Sequence, residues 1–367
     1  MSESGSRRMT RREAMELIGM SAACAAAVPG AAFAQTPPFP KGAIIRTLSR
    51  DYAPEELAGG ATLFHEHMSL GPDFNDKFRA ASAAVRAAQG LPALPPRAGG
   101  PPPPPPGADP MRDVALMAEE LATAKRDGVA CIVDGGHPDM GRDLAFVRQA
   151  AMKSGMPVVA GCGFYSQPFY PKEISTMSEG QIVEALVKQA DDDPAGAFGE
   201  IGSWDEMTVD ERKVFRAVGK AHTLTSLPIF THTGIPGKAA IEQLDILEDA
   251  GVNPNRVAIG HLGNLVDPNI YVHKTICRRG AFVAFDRQGG NGDAQQVPLV
   301  MSLLEAGFAD RLLFSSDASR GYSKTLTVFV PKLKAAGVTD DLLHRIMVDN
   351  PRRFLAFVPK RARKRGT

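Results

Sequence analysis

Ala61-Thr62-Leu63-Phe64-His65-Glu66-His67 is the stretch that decides the fold. A short apolar run that ends in a pair of histidines one residue apart reads as a buried strand whose carboxyl end opens onto a polar mouth. Alternate residues of a strand point to one side, so His65 and His67 project together, which the same spacing on a helix would not allow. Seven further runs of this kind follow: Val129–Asp134, Pro157–Cys162, Gly196–Ile201, Leu227–His232, Arg256–His261, Ala281–Asp286 and Arg311–Ser316. Helix-period segments such as Asp143–Met152, Asp210–Thr223 and Ala239–Ala250 lie between them. Apart from the first interval, which the proline-rich stretch lengthens, the strands alternate with helices at intervals of roughly 25 to 40 residues, which implies a parallel sheet, and eight of them imply closure. The expected class is α/β, a (β/α)8 TIM-type barrel forming one domain over residues 61–357. A doubly wound open sheet would show a Gly-rich phosphate fingerprint after its first strand, and none is present.

The rest of the chain fits around that domain. Its 367 residues can bury a large core, and 44% apolar with 23% charged residues is ordinary for a globular protein. Lys plus Arg at 42 against Asp plus Glu at 41 points to no nucleic acid and no anionic membrane, which leaves a small molecule as the expected ligand. Residues 1–34 read as an export signal: Thr10-Arg11-Arg12, an apolar run from Leu17 to Val28, then Ala32-Phe33-Ala34 as a cleavage site. Adjacent arginines favour the twin-arginine route and a periplasmic or secreted protein. The alternative, a lipid anchor on Cys24, meets an unsuitable Ser21 three places ahead of it. The run is shorter than the ~20 residues of a stable membrane span. Residues 35–60 are read as an N-terminal extension and residues 358–367 as a solvated basic tail. A Pro-rich insertion over 90–110, with Pro92, Pro95, Pro96 and Pro101–Pro106, is expected to be a polyproline spacer. Cys131, Cys162 and Cys277 form no disulfide framework and are read as small apolar fillers.

A lone His-x-His is a weak signal, and the other strand ends strengthen it. Glu200, His232 and His261 close three predicted strands, and Asp317 follows another. Together with His65 and His67 they are candidate metal ligands on the face where barrel active sites lie. Chance would scatter histidines over helices, as His222, His273 and His344 are scattered. A non-catalytic metal- or solute-binding barrel would keep the same histidines but would need no base at Asp317.

At this point the chain resembles the phosphotriesterase family of the amidohydrolase superfamily. The resemblance rests on Thr62-Leu63-Phe64-His65-Glu66-His67, Asp139-Met140-Gly141-Arg142-Asp143, Gly260-His261-Leu262-Gly263 and Asn350-Pro351-Arg352-Arg353-Phe354. It implies two divalent ions, zinc first, with manganese or cobalt as alternatives. His65, His67 and Asp317 would hold the more buried ion and His232 and His261 the outer one. The bridging carboxylated lysine of the best-known members is replaced by Glu200, as in a glutamate-bridged subgroup. The implied activity is hydrolysis of an ester-type bond by a bridging hydroxide, with Asp317 as ligand and general base.

The substrate class turns on three further positions. The histidine and aspartate that relay protons in organophosphate-tuned members correspond to Arg287 and Asn264. Asp286-Arg287 and Gly163-Phe164-Tyr165 instead resemble the lactonase branch, where an arginine and a tyrosine help to hold the substrate. A small lactone or carboxylic ester is therefore expected, with a phosphotriester or phosphodiester as the alternative. Tyr165 could equally pack with Phe164, Phe169 and Tyr170. His137 is read as structural rather than as a third metal site, and Arg142 as a loop support paired with Asp139 and Asp143. A homodimer stays open.

Overall fold

Leu63 and Phe64 are adjacent and both fully buried, which requires a strand covered on both faces. The computed structural model describes residues 39–88, 90, 92, 109–234, 239–265, 267 and 269–360. The expected export signal, Cys24, Pro95, Pro96, Pro101–Pro106 and residues 361–367 of the tail lie outside them. A small antiparallel pair, β1 (Ile45–Arg46) and β2 (Asp51–Tyr52), precedes the main sheet. The sheet itself comprises β3 (Ala61–Glu66), β4 (Val129–Asp134), β5 (Val158–Cys162), β6 (Ala197–Ser203), β7 (Ile229–Thr233), β8 (Val257–Ile259), β9 (Phe282–Phe285) and β10 (Leu312–Phe314). All its ladders are parallel and run in sequence order, so the chain forms the expected nearly closed (β/α)8 barrel.

Neighbouring residues on each strand feed two different cores. Leu63, Ile132, Val158, Ile229 and Val257 pack outward against the helices. Phe64, Val133, Val159, Phe230, Ala258 and Leu313, from six strands, share a second cluster that only the inside of a barrel can assemble. Ile45, Leu57 and Phe354 join this inner cluster, so the N-terminal segment and the final helix plug the amino end. Cys131 belongs to the inner core and Cys162 and Cys277 to the outer one, all unpaired, and burial pushes each thiol up to about 12.

Strands β3 and β10, at the two ends of the sheet order, meet through a clamp on the buried Glu66. Its carboxylate accepts from Ser315 Oγ, Ser316 N, Ser316 Oγ and Ala318 N at 2.7–2.9 Å. Backbone bonds from His67 N to Ala318 O and from Asp317 N to His65 O complete the seam, at 2.9 and 3.2 Å. Helix Phe74–Ala88 follows β3, ahead of the proline-rich stretch.

Candidate metal centre

Two irregularities in the barrel wall aim the key side chains. On β3 the register advances from Leu63 to Glu66 while its partner advances only from Ile132 to Asp134. One extra residue is thus inserted beside His65, and it lets both Phe64 and His65 face inward. The same offset occurs on β6, where Phe198 to Ile201 opposes Ile229 to Thr231 and Glu200 lies between. Glu200 therefore stands inside its strand, which continues to Ser203, rather than closing it. Gly199 beside it has φ +147°, and a Cβ there would come within 2.4 Å of the Phe230 ring.

At the carboxyl ends of β8 and β10 the chain turns sharply. His261 and Asp317 take left-handed φ values of 62° and 48°, a conformation that costs a non-glycine residue about 1–2 kcal/mol. Asp286 holds the first turn by accepting from His261 N at 3.1 Å. The seam bond from Asp317 N holds the second. A side chain at Gly260 would meet the Thr231 carbonyl at 1.9 Å, so the approach to His261 demands glycine.

The barrel brings all six expected ligands together, in two groups that share a wall. His65, His67 and Asp317 place one donor atom each within 4.8 Å of one another, and so do Glu200, His232 and His261. The Glu200 carboxylate divides between them. Its Oε1 lies 2.5 Å from His232 Nδ1 and 2.9 Å from His261 Nε2. Its Oε2 lies 3.3 Å from His65 Nε2 and 3.5 Å from His67 Nε2. Asp317 Oδ1 is 3.2 Å from His67 Nε2, while Asp317 Oδ2 accepts from Arg287 Nε at 3.1 Å.

Asp286, at the end of the run Ala281–Asp286 and not among the expected ligands, organises both groups. Its two oxygens face His65 Nδ1 at 3.0 Å and His261 Nδ1 at 2.7 Å. A carboxylate on Nδ1 turns each Nε2 toward the centre and makes it a better ligand. His65 Nε2 is buried there and has no hydrogen-bond partner. An unsatisfied imidazole nitrogen facing two carboxylates is the donor chemistry of a divalent-cation site, and these residues fit one. The signal that could have found Asp286 was its place at the end of a strand, the same place that marked the other candidates.

Charge is concentrated accordingly. Burial would raise the Glu200 carboxyl, but His65, His232 and His261 outweigh it and hold the group well below its usual range. Burial likewise opposes ionisation of Asp317, yet the hydrogen bond to His67 and the charges of His65, His261 and Arg287 keep it well below its usual range. His67 resists burial in the opposite sense, since Asp317 and Glu200 raise it to about 9. His232 is depressed to about 4 by burial and by its neighbour His261.

Of the expected aromatic partners of Tyr165, Phe169 packs against it, whereas Phe164 and Tyr170 pair with each other. Tyr165 also packs against Phe74, and its hydroxyl reaches His232 Nδ1 at 3.0 Å. Phe74 and Phe78, on the helix after β3, add an aromatic wall that reaches the His232 ring. Arg142 differs from expectation, because Asp143 caps helix Leu144–Ser154 and Asp139 turns to His137. Its guanidinium instead donates to Gly161 O at 2.7 Å, tying the β4 loop to β5. Asn264 stays local, bonding His261 O at 3.4 Å.

A parallel barrel with imidazoles and carboxylates gathered at its carboxyl mouth defines a metal-dependent hydrolase of the barrel type. The chain belongs to the phosphotriesterase family, whose model matches residues 53–355. It is 30% identical over 260 residues to the phosphotriesterase homology protein of Escherichia coli K12, covering 65% of this chain and 88% of that one. The crystal structure of that protein, with phosphate in its active site, superposes with a TM-score of 0.68 at 25% identity, over 81% of this chain and 99% of that one. An N-acetyltaurine hydrolase from Danio rerio is 27% identical over 278 residues, 67% of this chain and 78% of its own. A lactonase from Listeria monocytogenes shares the fold, with a TM-score of 0.68 at 24% identity over 85% of this chain and 98% of that one. Among the described residues no helix is long and apolar enough to cross a membrane.

Proposed function

We propose that the protein holds two divalent ions, zinc in first place, and hydrolyses a lactone or other small carboxylic ester. The observation that carries this reading is the split of the Glu200 carboxylate, one oxygen toward His232 and His261 and the other toward His65 and His67. A carboxylate so placed can bridge two ions, as the carboxylated lysine does in the family members it resembles. When bound, the ions supply an activated water and a positive centre for the substrate's oxygen.

The side chains then divide the remaining work. Asp317 is held ionised by Arg287 and His67 and stands ready to accept the proton of the attacking water. The Tyr165 hydroxyl, beside His232, can donate to a carbonyl oxygen as it gains negative charge. By the resemblance to the family, Arg287 and Asn264 correspond to the histidine and aspartate of the relay, and their difference in chemistry supports a carbonyl over a phosphotriester.

Metal-reconstituted protein should be assayed on a lactone, an aryl carboxylic ester, a phosphotriester, a phosphodiester and an N-acyl aminosulfonate. The last is included because a relative is an N-acetyltaurine hydrolase. The highest kcat/KM should fall on the lactone or the aryl ester, and Tyr165→Phe should lower lactone turnover more than phosphotriester turnover. A better phosphorus or amide substrate, or an equal loss on both, would refute the ester assignment and leave the metal reading standing.

A further inference from the structure

The β4 loop carries a buried hydrogen-bonded couple, His137 and Asp139, that none of the proposed chemical steps uses. His137 is fully buried and the Asp139 side chain is 2% exposed. His137 Nε2 donates to the main-chain carbonyl of Glu200 at 2.9 Å, and its Nδ1 lies 2.8 Å from Asp139 Oδ1. The second oxygen, Asp139 Oδ2, accepts from the main-chain N–H of Tyr165 at 2.8 Å. The loops that follow the neighbouring strands β4 and β5 are thereby joined through one polar couple. The same stretch of chain holds Glu200 a second time, since Glu200 N donates to Gly135 O at 3.2 Å. Tyr165 O in turn accepts from Gly202 N, two residues beyond Glu200.

We propose that His137 and Asp139 are positioning residues that fix the Glu200 main chain and Tyr165 around the outer metal cluster. The inference rests on the two-ion reading above. Burying an imidazole and a carboxylate is unfavourable unless every polar atom is matched, and an apolar couple would fill the same volume without that penalty. Here their contacts go to each other, to Glu200 and to Tyr165. Glu200 sits on an inserted residue in β6, where the ladder no longer sets its direction. His137 supplies the constraint that the ladder has lost. Asp139 orients the His137 ring and places the Tyr165 backbone, so the phenol and the bridging carboxylate share one support.

The two ring nitrogens can be separated by substitution in the full-length, zinc-reconstituted protein. His137→Gln keeps an amide N–H near the position of Nε2 and so keeps the bond to Glu200. His137→Asn keeps one near Nδ1, facing Asp139, and loses that bond. Zinc content after dialysis and the rate of zinc release to a chelator are read alongside kcat, KM and the thermal midpoint. We expect His137→Asn to release its weaker-held zinc at least about 10-fold faster than wild type. His137→Gln should stay within about 3-fold of wild type. Asp139→Ala should release zinc faster and also lower lactone kcat, because Tyr165 loses its tether. Wild-type retention of both ions by His137→Asn would overturn the proposal. Equal losses in the Gln and Asn variants, tracking a lower thermal midpoint, would do so too, since that is the behaviour of a packing role. Wild-type protein that holds fewer than two ions would overturn the two-ion reading itself, and this inference with it.

Discussion

Replacing Asp286 by alanine would remove a carboxylate that meets the Nδ1 of a histidine in each candidate metal group. Its oxygens hold His65 Nδ1 at 3.0 Å and His261 Nδ1 at 2.7 Å, and both partners are buried. Loss of a carboxylate behind a ligating imidazole lowers metal affinity about 10- to 100-fold, which corresponds to about 1.4–2.7 kcal/mol. Because one residue serves both groups, the loss should appear at both ions, unlike removal of a single ligand, which strikes one group first. His261 N also loses its acceptor, so the left-handed turn at φ 62° is released and the outer site should suffer more. The assay is a competition titration of zinc-loaded protein against a chelator of known affinity, resolving two dissociation constants. Both should rise at least about 10-fold in Asp286→Ala. Two unchanged constants in a folded variant would refute the claim that Asp286 organises the pair.

Other consequences follow from the same contacts. Asp317→Asn should leave the fold intact and lower turnover at least about 100-fold, read as kcat in protein of measured metal content. Arg287 helps to hold the Asp317 carboxyl below its usual range, so Arg287→Ala should move the acid limb of the kcat/KM profile to higher pH, where an unshifted limb would exclude Asp317 as the titrating base. Glu66→Ala strands buried donors of Ser315, Ser316 and Ala318 at the barrel seam and should cost about 3 kcal/mol or more, seen as a lower midpoint in chemical denaturation. His67 is raised to about 9 before a metal is bound, so zinc uptake at pH 7 must expel its proton, and calorimetry in buffers of different ionisation enthalpy should detect the release.

The barrel was legible because its buried strands are short apolar runs that recur at a similar spacing from the second onward, and each of the eight runs named from the sequence contains an observed strand core. The ends were less legible. β8 and β10 are only three residues long because the chain turns before His261 and Asp317, and left-handed φ leaves no mark in residue type. The candidate ligands were readable as residues at strand mouths, but the inserted residues beside His65 and Glu200 were not, since alternation in a sequence does not show a register shift. Arg142 was misread for a related reason. Its charged neighbours in sequence, Asp139 and Asp143, are turned away by a short 3-10 turn over Pro138–Met140 and by the helix cap at Asp143. Helix Phe74–Ala88 went unnoticed ahead of the prolines, although it brings Phe74 and Phe78 to the mouth.

The central claim is that Glu200 joins two metal ions, and metal counting tests it most directly. Purified protein reconstituted with excess zinc and freed of unbound metal should contain close to two ions per chain by mass spectrometry. Glu200→Ala, which removes the oxygens facing both groups, should fall toward one ion or fewer under the same conditions. A wild-type content of one ion, or two ions retained in Glu200→Ala, would contradict the account.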